Sequence, residues 1–296
     1  MKKMIMFLLI VCLVVISGTT FGNDLSGMSA EELKNAGVDA YNVENYEKAL
    51  EYFQAAADEG NEEAIRFIGQ MYYYGYGMEQ SYEMARDLFE IAADRGNIQA
   101  MTWTGWMYLK GYGVDQSYEK AYEYYKRAAD LGDPDSQYNV GLLFEYGYGV
   151  EQSYEKAVEY YQFAADKGIA DAQENLGWLY EKGYGVEQSY ENAAKYYKFA
   201  ANMNSLRSYT RLGYLYILGY GVEQSYEKAL ECFQTAADQD YSAAQAALGW
   251  MYEHGYGVEQ SYEKAVEYYQ LAADQGSKSA AENLEKLNAE MAGGKK

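Results

Sequence analysis

One histidine, His254, and two cysteines, Cys12 and Cys232, are all the imidazole and thiol in a chain of 296 residues. Acid–base and nucleophilic catalysis draw first on such groups, and tetrahedral metal sites need several of them together. The sequence contains no GxSxG, HExxH, CxxC, GxxxxGK[ST] or DxDxDG pattern. Recognition is the chemistry these residues suit, because 36 tyrosines, nine phenylalanines and four tryptophans make the chain 17% aromatic. With 45 acidic residues against 24 basic ones, the net charge is −21. Such a field repels phosphate backbones, which excludes nucleic acid as a partner, and it disfavours anionic membrane surfaces. A basic partner is favoured for the same reason.

The candidate binding residues recur at one register. Trp106, Leu142, Trp178, Tyr214 and Trp250 stand 36 residues apart, with Gln70 before them. On a helix that position lies about 200° from the residue two places earlier, and so away from the main apolar stripe. Trp103, Asn139, Asn175, Arg211 and Lys110 fall within three or four residues of the row. Rings, asparagines and isolated cations on one face suit a groove for an extended peptide. The same rings could instead pack between neighbouring helices. His254 has Tyr74, Lys110, Tyr146, Lys182 and Leu218 as its counterparts, which marks a solvent-facing position. Tyr108, Tyr180, Tyr216 and Tyr252 form a further row, expected in the core. Cys232 is matched by Tyr196 and Tyr268, so a buried packing role is expected.

These rows need a repeating scaffold. Ser81, Ser117, Ser153, Ser189, Ser225 and Ser261 each follow a GYG loop and an acid–glutamine pair, at a constant step of 36 residues. A period of this length means a solenoid or a propeller. The stretch after each serine carries apolar residues at helical spacing, as with Tyr262, Ala265, Val266, Tyr269, Ala272 and Ala273. Serine caps that helix, called B here, and Gly276 ends it. The stretch before each GYG is a second helix, A, with Ala244, Leu248, Met251 and Tyr252 on one face and Gly255 at its end. The GYG loops therefore read as turns. A glycine inside each A helix, Gly177 for example, predicts close helix contact, because an interior glycine otherwise costs about 1 kcal/mol against alanine.

The ends read differently. Lys2, Lys3 and the apolar run Met4 to Ile16 predict a secretory signal peptide over 1–22, leaving an exported chain, periplasmic or secreted, with no stable membrane insertion. Residues 23–60 read as an N-terminal capping repeat, 61–276 as six tandem repeats and 277–296 as a polar capping helix and tail.

The unit A-x-x-x-L-G-x-x-Y-x-x-G-x-G-V, then Y-E-K-A-x-x-x-Y-x-x-A-A-x-x-G, resembles the Sel-one-like repeat (SLR), a relative of the tetratricopeptide repeat. Ala172, Leu176, Gly177, Tyr180, Gly183, Gly185, Val186, Tyr190, Ala193, Tyr197, Ala200 and Ala201 occupy its signature positions. The resemblance implies an all-α, right-handed superhelical solenoid of antiparallel helix pairs, with A helices lining the concave side. It also implies an adaptor that binds protein, without cofactor. A cysteine-rich branch is connected with penicillin binding and β-lactam hydrolysis, but its paired cysteines are missing here. The B-helix glycine is replaced by Asn204 and Asp240, both of which tolerate the left-handed conformation. The expectation is an exported scaffold that holds a peptide or partner domain on its concave face. An envelope hydrolase and a binder of cell-wall glycan are the alternatives.

Overall fold

The computed structural model describes residue 25 and residues 27–293. The expected signal peptide lies outside them. No helix among the described residues is long and apolar enough to cross a membrane. The chain divides into two compact units, one running to Gln152 and the other starting at Ser153.

The first unit contains α1 (Ala30–Asn42), α2 (Tyr46–Asp58), α3 (Glu62–Tyr74), α4 (Tyr82–Asp94), α5 (Ile98–Lys110), α6 (Tyr118–Asp130) and α7 (Pro134–Tyr146). The second contains α8 (Tyr154–Asp166), α9 (Ala170–Lys182), α10 (Tyr190–Asn202), α11 (Leu206–Leu218), α12 (Tyr226–Ala237), α13 (Ser242–His254), α14 (Tyr262–Asp274) and α15 (Lys278–Gly293). The described residues form no strand. The fold class is the expected all-α solenoid of helix pairs. Odd-numbered helices are A helices and even-numbered ones are B helices.

Local chemistry sets the helix ends. Every predicted serine cap forms: Ser81, Ser117, Ser153, Ser189, Ser225 and Ser261 accept from the backbone N–H three residues on. Asn204 and Asp240 do take the left-handed backbone, at φ 67° and 59°, where the other repeats use glycine. The glutamine before each capping serine closes the loop by donating to the A helix. Gln116 reaches the carbonyl of Leu109 at 2.7 Å and Gln188 that of Glu181 at 2.8 Å.

The core corrects one expectation. Its fully buried ring row lies on the B helices and comprises Phe53, Phe89, Tyr125, Tyr161, Tyr197, Phe233 and Tyr269. Of the row expected there, Tyr108 is buried but Tyr180, Tyr216 and Tyr252 are only half-buried. Lys228 and Lys264 of the next helix lie over the rings of Tyr216 and Tyr252, and Tyr180 stacks on Tyr196. Tyr262, expected on the apolar stripe, is exposed. The A-helix glycines exist because of the B-helix rings. A Cβ on Gly177 would stand 2.7 Å from the Tyr197 ring, and one on Gly105 2.9 Å from Tyr125.

The GYG loop is more than a turn. Its tyrosine stacks on the first tyrosine of the preceding B helix, Tyr82 on Tyr112 and Tyr226 on Tyr256 at 5.0 Å each. Its second glycine lies flat against that helix's first peptide. A Cβ on Gly113 would come within 2.4 Å of the Tyr82 carbonyl carbon. The loop thus ties each repeat to the one before it.

Candidate functional site

In the first unit, the A helices α3, α5 and α7 run beside one another and leave a groove of about 670 Å³. Tyr73 and Tyr74 come from the last turn of α3. Trp103 and Trp106 come from the middle of α5, and Asp133, Asp135 and Asn139 from the cap and start of α7. Helical spacing brings them together, since Trp103 and Trp106 are three apart and so adjacent on one face of α5.

The rings meet at large angles. Trp103 and Trp106 lie 5.8 Å apart at 84°, and Tyr73 meets Trp106 at 5.5 Å and 67°. Trp103 lies flat on the buried ring of Phe89, 5.4 Å away, which fixes it to the core. These tryptophans therefore do both things the sequence left open, packing between helices and lining a groove. Burial, with smaller contributions from Tyr82, Tyr112 and Tyr74, pushes the Tyr73 phenol up to about 12.

The α7 end of the groove is acidic. Asp133 caps its helix by accepting from Ser136 N at 2.8 Å, and the Thr102 hydroxyl donates to the same oxygen at 3.3 Å. Burial, and then the charge of Asp133, raises the Asp135 carboxyl above its usual range. The side-chain amide of Asn139 donates to the Asp135 carbonyl at 2.8 Å.

Asn139 also lines a second, smaller groove of about 290 Å³ with Lys110, Leu142, Tyr146 and Tyr148. Lys110 is exposed, as expected of an isolated cation. Both grooves share one residue the sequence analysis passed over, Tyr125 of α6. Its register on the B helix marked it as core, and nothing in a single repeat shows that it also faces a groove.

In the second unit the expected residues have other company. Trp178 meets Tyr184 edge to face at 5.4 Å, and Trp250 packs on His254 and Tyr256. Tyr214 is 45% exposed with its ring edge on Phe233. Asn175 is half-buried. Arg211 is not the isolated cation expected, because it pairs with Glu181 at 3.4 Å. Burial raises the Glu181 carboxyl, but hydrogen bonds from Lys182 and Tyr197 and the Arg211 charge outweigh it, and the net shift is downward.

Among the described residues no cluster of His, Cys, Asp and Glu could hold a metal ion. Cys232 is buried, and burial pushes its thiol up to about 11. That leaves little thiolate near neutral pH.

The family model of the Sel1 repeat matches residues 36–61, 62–97, 98–133, 134–169, 170–205, 206–241 and 242–277. Many solved structures are similar, and two of them show the likeness. One is c5321, a protective antigen of uropathogenic Escherichia coli with an SLR fold, at 30% identity and a TM-score of 0.83, covering 88% of this chain. The chain spans 56% of that protein's length. The other is a Sel1 repeat protein from Oxalobacter formigenes, at 31% identity and a TM-score of 0.72, covering 83% of this chain and 100% of that one. No curated protein matches the chain.

Proposed function

The chain belongs to the Sel1 repeat family, and on that premise we propose that it is an exported, non-enzymatic scaffold that binds an extended segment of a partner protein along its A helices. The observation that carries this reading is the groove across α3, α5 and α7, where Trp103, Trp106 and Asn139 line one wall system. Ring faces supply contact area at small cost in side-chain entropy, and the asparagine can bond a peptide backbone. The charge of −21 favours a basic segment. Export rests on the apolar run after Lys2 and Lys3, and a relative described as a protective antigen is in keeping with it.

The test is affinity capture from an envelope extract with the full chain, beside Trp106→Ala and Asn139→Arg. Asn139 is half-buried on the edge shared by both grooves, so an arginine there obstructs them at little expense to the core. Loss of a defined partner in both variants, with the melting temperature held, supports the groove. Unchanged capture by Asn139→Arg places the binding elsewhere.

A second reading, cell-wall glycan, is favoured by one feature. Tyr146 and Tyr148, stacked at 5.6 Å, are both exposed at the smaller groove, and ring faces of that kind suit sugar faces. Sedimentation with purified peptidoglycan tests it, since binding lost in Tyr146→Ala supports the glycan reading. The β-lactam alternative has no support from Cys232, the one free cysteine among the described residues.

A further inference from the structure

We propose that the larger groove is a socket for an arginine side chain of the bound segment, and that Tyr125 at its floor is a binding residue that bonds the segment's main chain. The inference rests on the reading of that groove as the partner site.

The lining residues decide the charge. They include two carboxylates, Asp133 and Asp135, and no lysine or arginine. Neither aspartate forms an ion pair among the described residues, whereas Glu174 and Glu181 of the second unit are each paired with an arginine. Tyr73, Trp103 and Trp106 turn their planes at angles between 53° and 84° to one another, so the wall offers ring surface in more than one direction. A guanidinium is planar and weakly hydrated, stacks on indole faces, and bonds carboxylates in a fork. A lysine ammonium meets the same charge but lacks the planar fork.

Tyr125 supplies the second, independent observation. It is 1% exposed, and its hydroxyl makes no hydrogen bond among the described residues. Its counterparts two and four repeats on are satisfied, Tyr197 donating to Glu181 at 2.8 Å and Tyr269 to Glu253 at 2.5 Å. The residue that would hold the partner carboxylate for Tyr125 is Leu109. A buried tyrosine normally finds a partner for its hydroxyl. This one lacks its partner at the one described position where the ring borders both grooves. A main-chain carbonyl of a bound segment can accept that proton.

The test uses the full chain labelled with 5-fluorotryptophan, whose four tryptophans give four fluorine resonances. The probe is the peptide acetyl-Gly-Arg-Gly-amide, beside its citrulline counterpart, which keeps the shape and removes the charge. The expected result is a saturable shift of the Trp103 and Trp106 resonances alone, with the citrulline peptide at least about tenfold weaker. Asp135→Asn should weaken binding several-fold. Tyr125→Phe should weaken it about fivefold at an unchanged melting temperature, since phenylalanine already stands at Phe89 and Phe233 in the same row. Equal binding of both peptides, or no response at Trp103 and Trp106, overturns the arginine socket. An unchanged affinity in Tyr125→Phe overturns the role of that hydroxyl. Either failure leaves the groove reading intact as long as Asn139→Arg still abolishes capture. If Asn139→Arg captures normally, the groove reading itself has failed.

Discussion

Glu181 accepts the phenol proton of Tyr197 at 2.8 Å, joining the A helix of a repeat to its B helix across the core. The same pair recurs as Glu253 and Tyr269, and where the ring is Phe233 the residue facing it in register is Ile217. In these repeats hydroxyl and carboxylate are present or absent together, which keeps buried polar groups satisfied, and Tyr125, with Leu109 at the carboxylate position, is the exception.

That relation makes the pair's energetics separable. Glu181→Ile leaves the Tyr197 hydroxyl buried without its partner and should cost about 2 kcal/mol, while Tyr197→Phe should cost about 1 kcal/mol. The double variant reproduces the Ile217 and Phe233 pair, so its cost should fall well short of the sum. Urea denaturation of all four proteins closes the cycle. Simple additivity would mean that the hydrogen bond contributes nothing.

Acid should act through the same carboxyl. Its pKa in the folded chain lies below the ordinary value of 4.5, so it binds its proton less readily folded than unfolded. The stability it contributes is complete above 4.5 and is lost as pH falls through the depressed folded value. Melting temperatures between pH 7 and pH 3 should fall more steeply for the native chain than for Glu181→Gln. Parallel curves would show that other carboxylates dominate.

The two glycines of a GYG loop should respond differently to the same substitution. Gly219 and Gly221 share a left-handed backbone, φ 68° and 67°, which asparagine accepts at Asn204. A Cβ on Gly219 comes no closer than 3.3 Å, to the Gln224 side chain, with backbone no nearer than 3.6 Å, but one on Gly221 falls 2.1 Å from the Tyr190 carbonyl carbon. Gly219→Asn should therefore cost about 1 kcal/mol or less, and Gly221→Asn about 3 kcal/mol, because a backbone cannot step aside. Thermal melts of the two variants decide it. Equal losses would mean that strain in φ, and not contact between repeats, governs the loop.

That contrast also shows where the sequence stopped being readable. Helix bounds, serine caps and the replacement of glycine by Asn204 and Asp240 follow from interactions within a few residues, so the pattern of one repeat displays them. The role of Gly221 depends on Tyr190, 31 residues earlier, and no property of the loop itself reports that neighbour. The ring row was misplaced for a related reason. Tyrosine is apolar along its body and polar at its tip, so periodicity alone does not tell a half-buried ring such as Tyr216 from a buried one such as Tyr197. Trp103 and Trp106 were found by register, yet Tyr125 was not. A residue that is core on one side and groove on the other has the pattern of core.

Gly177 gives the plainest measure of core packing. Alanine favours a helix interior by about 1 kcal/mol over glycine. Its Cβ would nevertheless stand 2.7 Å from two atoms of the Tyr197 ring, which is fully buried and held at its hydroxyl by Glu181. Overpacking of that kind typically costs 1–3 kcal/mol. Gly177→Ala should therefore lower the melting temperature. A rise would mean that the ring yields and that helix propensity prevails.

Cys232 offers a probe once Cys12, the other thiol of the chain, is replaced by serine. It is 8% exposed on α12 of the second unit, packed beside Leu212 and Leu215, and burial together with the nearby charge of Glu231 pushes its thiol up to about 11. The thiolate is the reactive form, and an unperturbed cysteine near 8.5 is about one-quarter ionised at pH 8. The folded thiol has a far smaller ionised fraction and little access, so Ellman's reagent should react at least about a hundredfold more slowly with the native chain than with the chain in urea. The residual native rate then reports opening of the helices around Cys232, and Gly221→Asn, in the same unit, should raise it. Native labelling as fast as in urea would show that the second unit does not hold this side chain in its core.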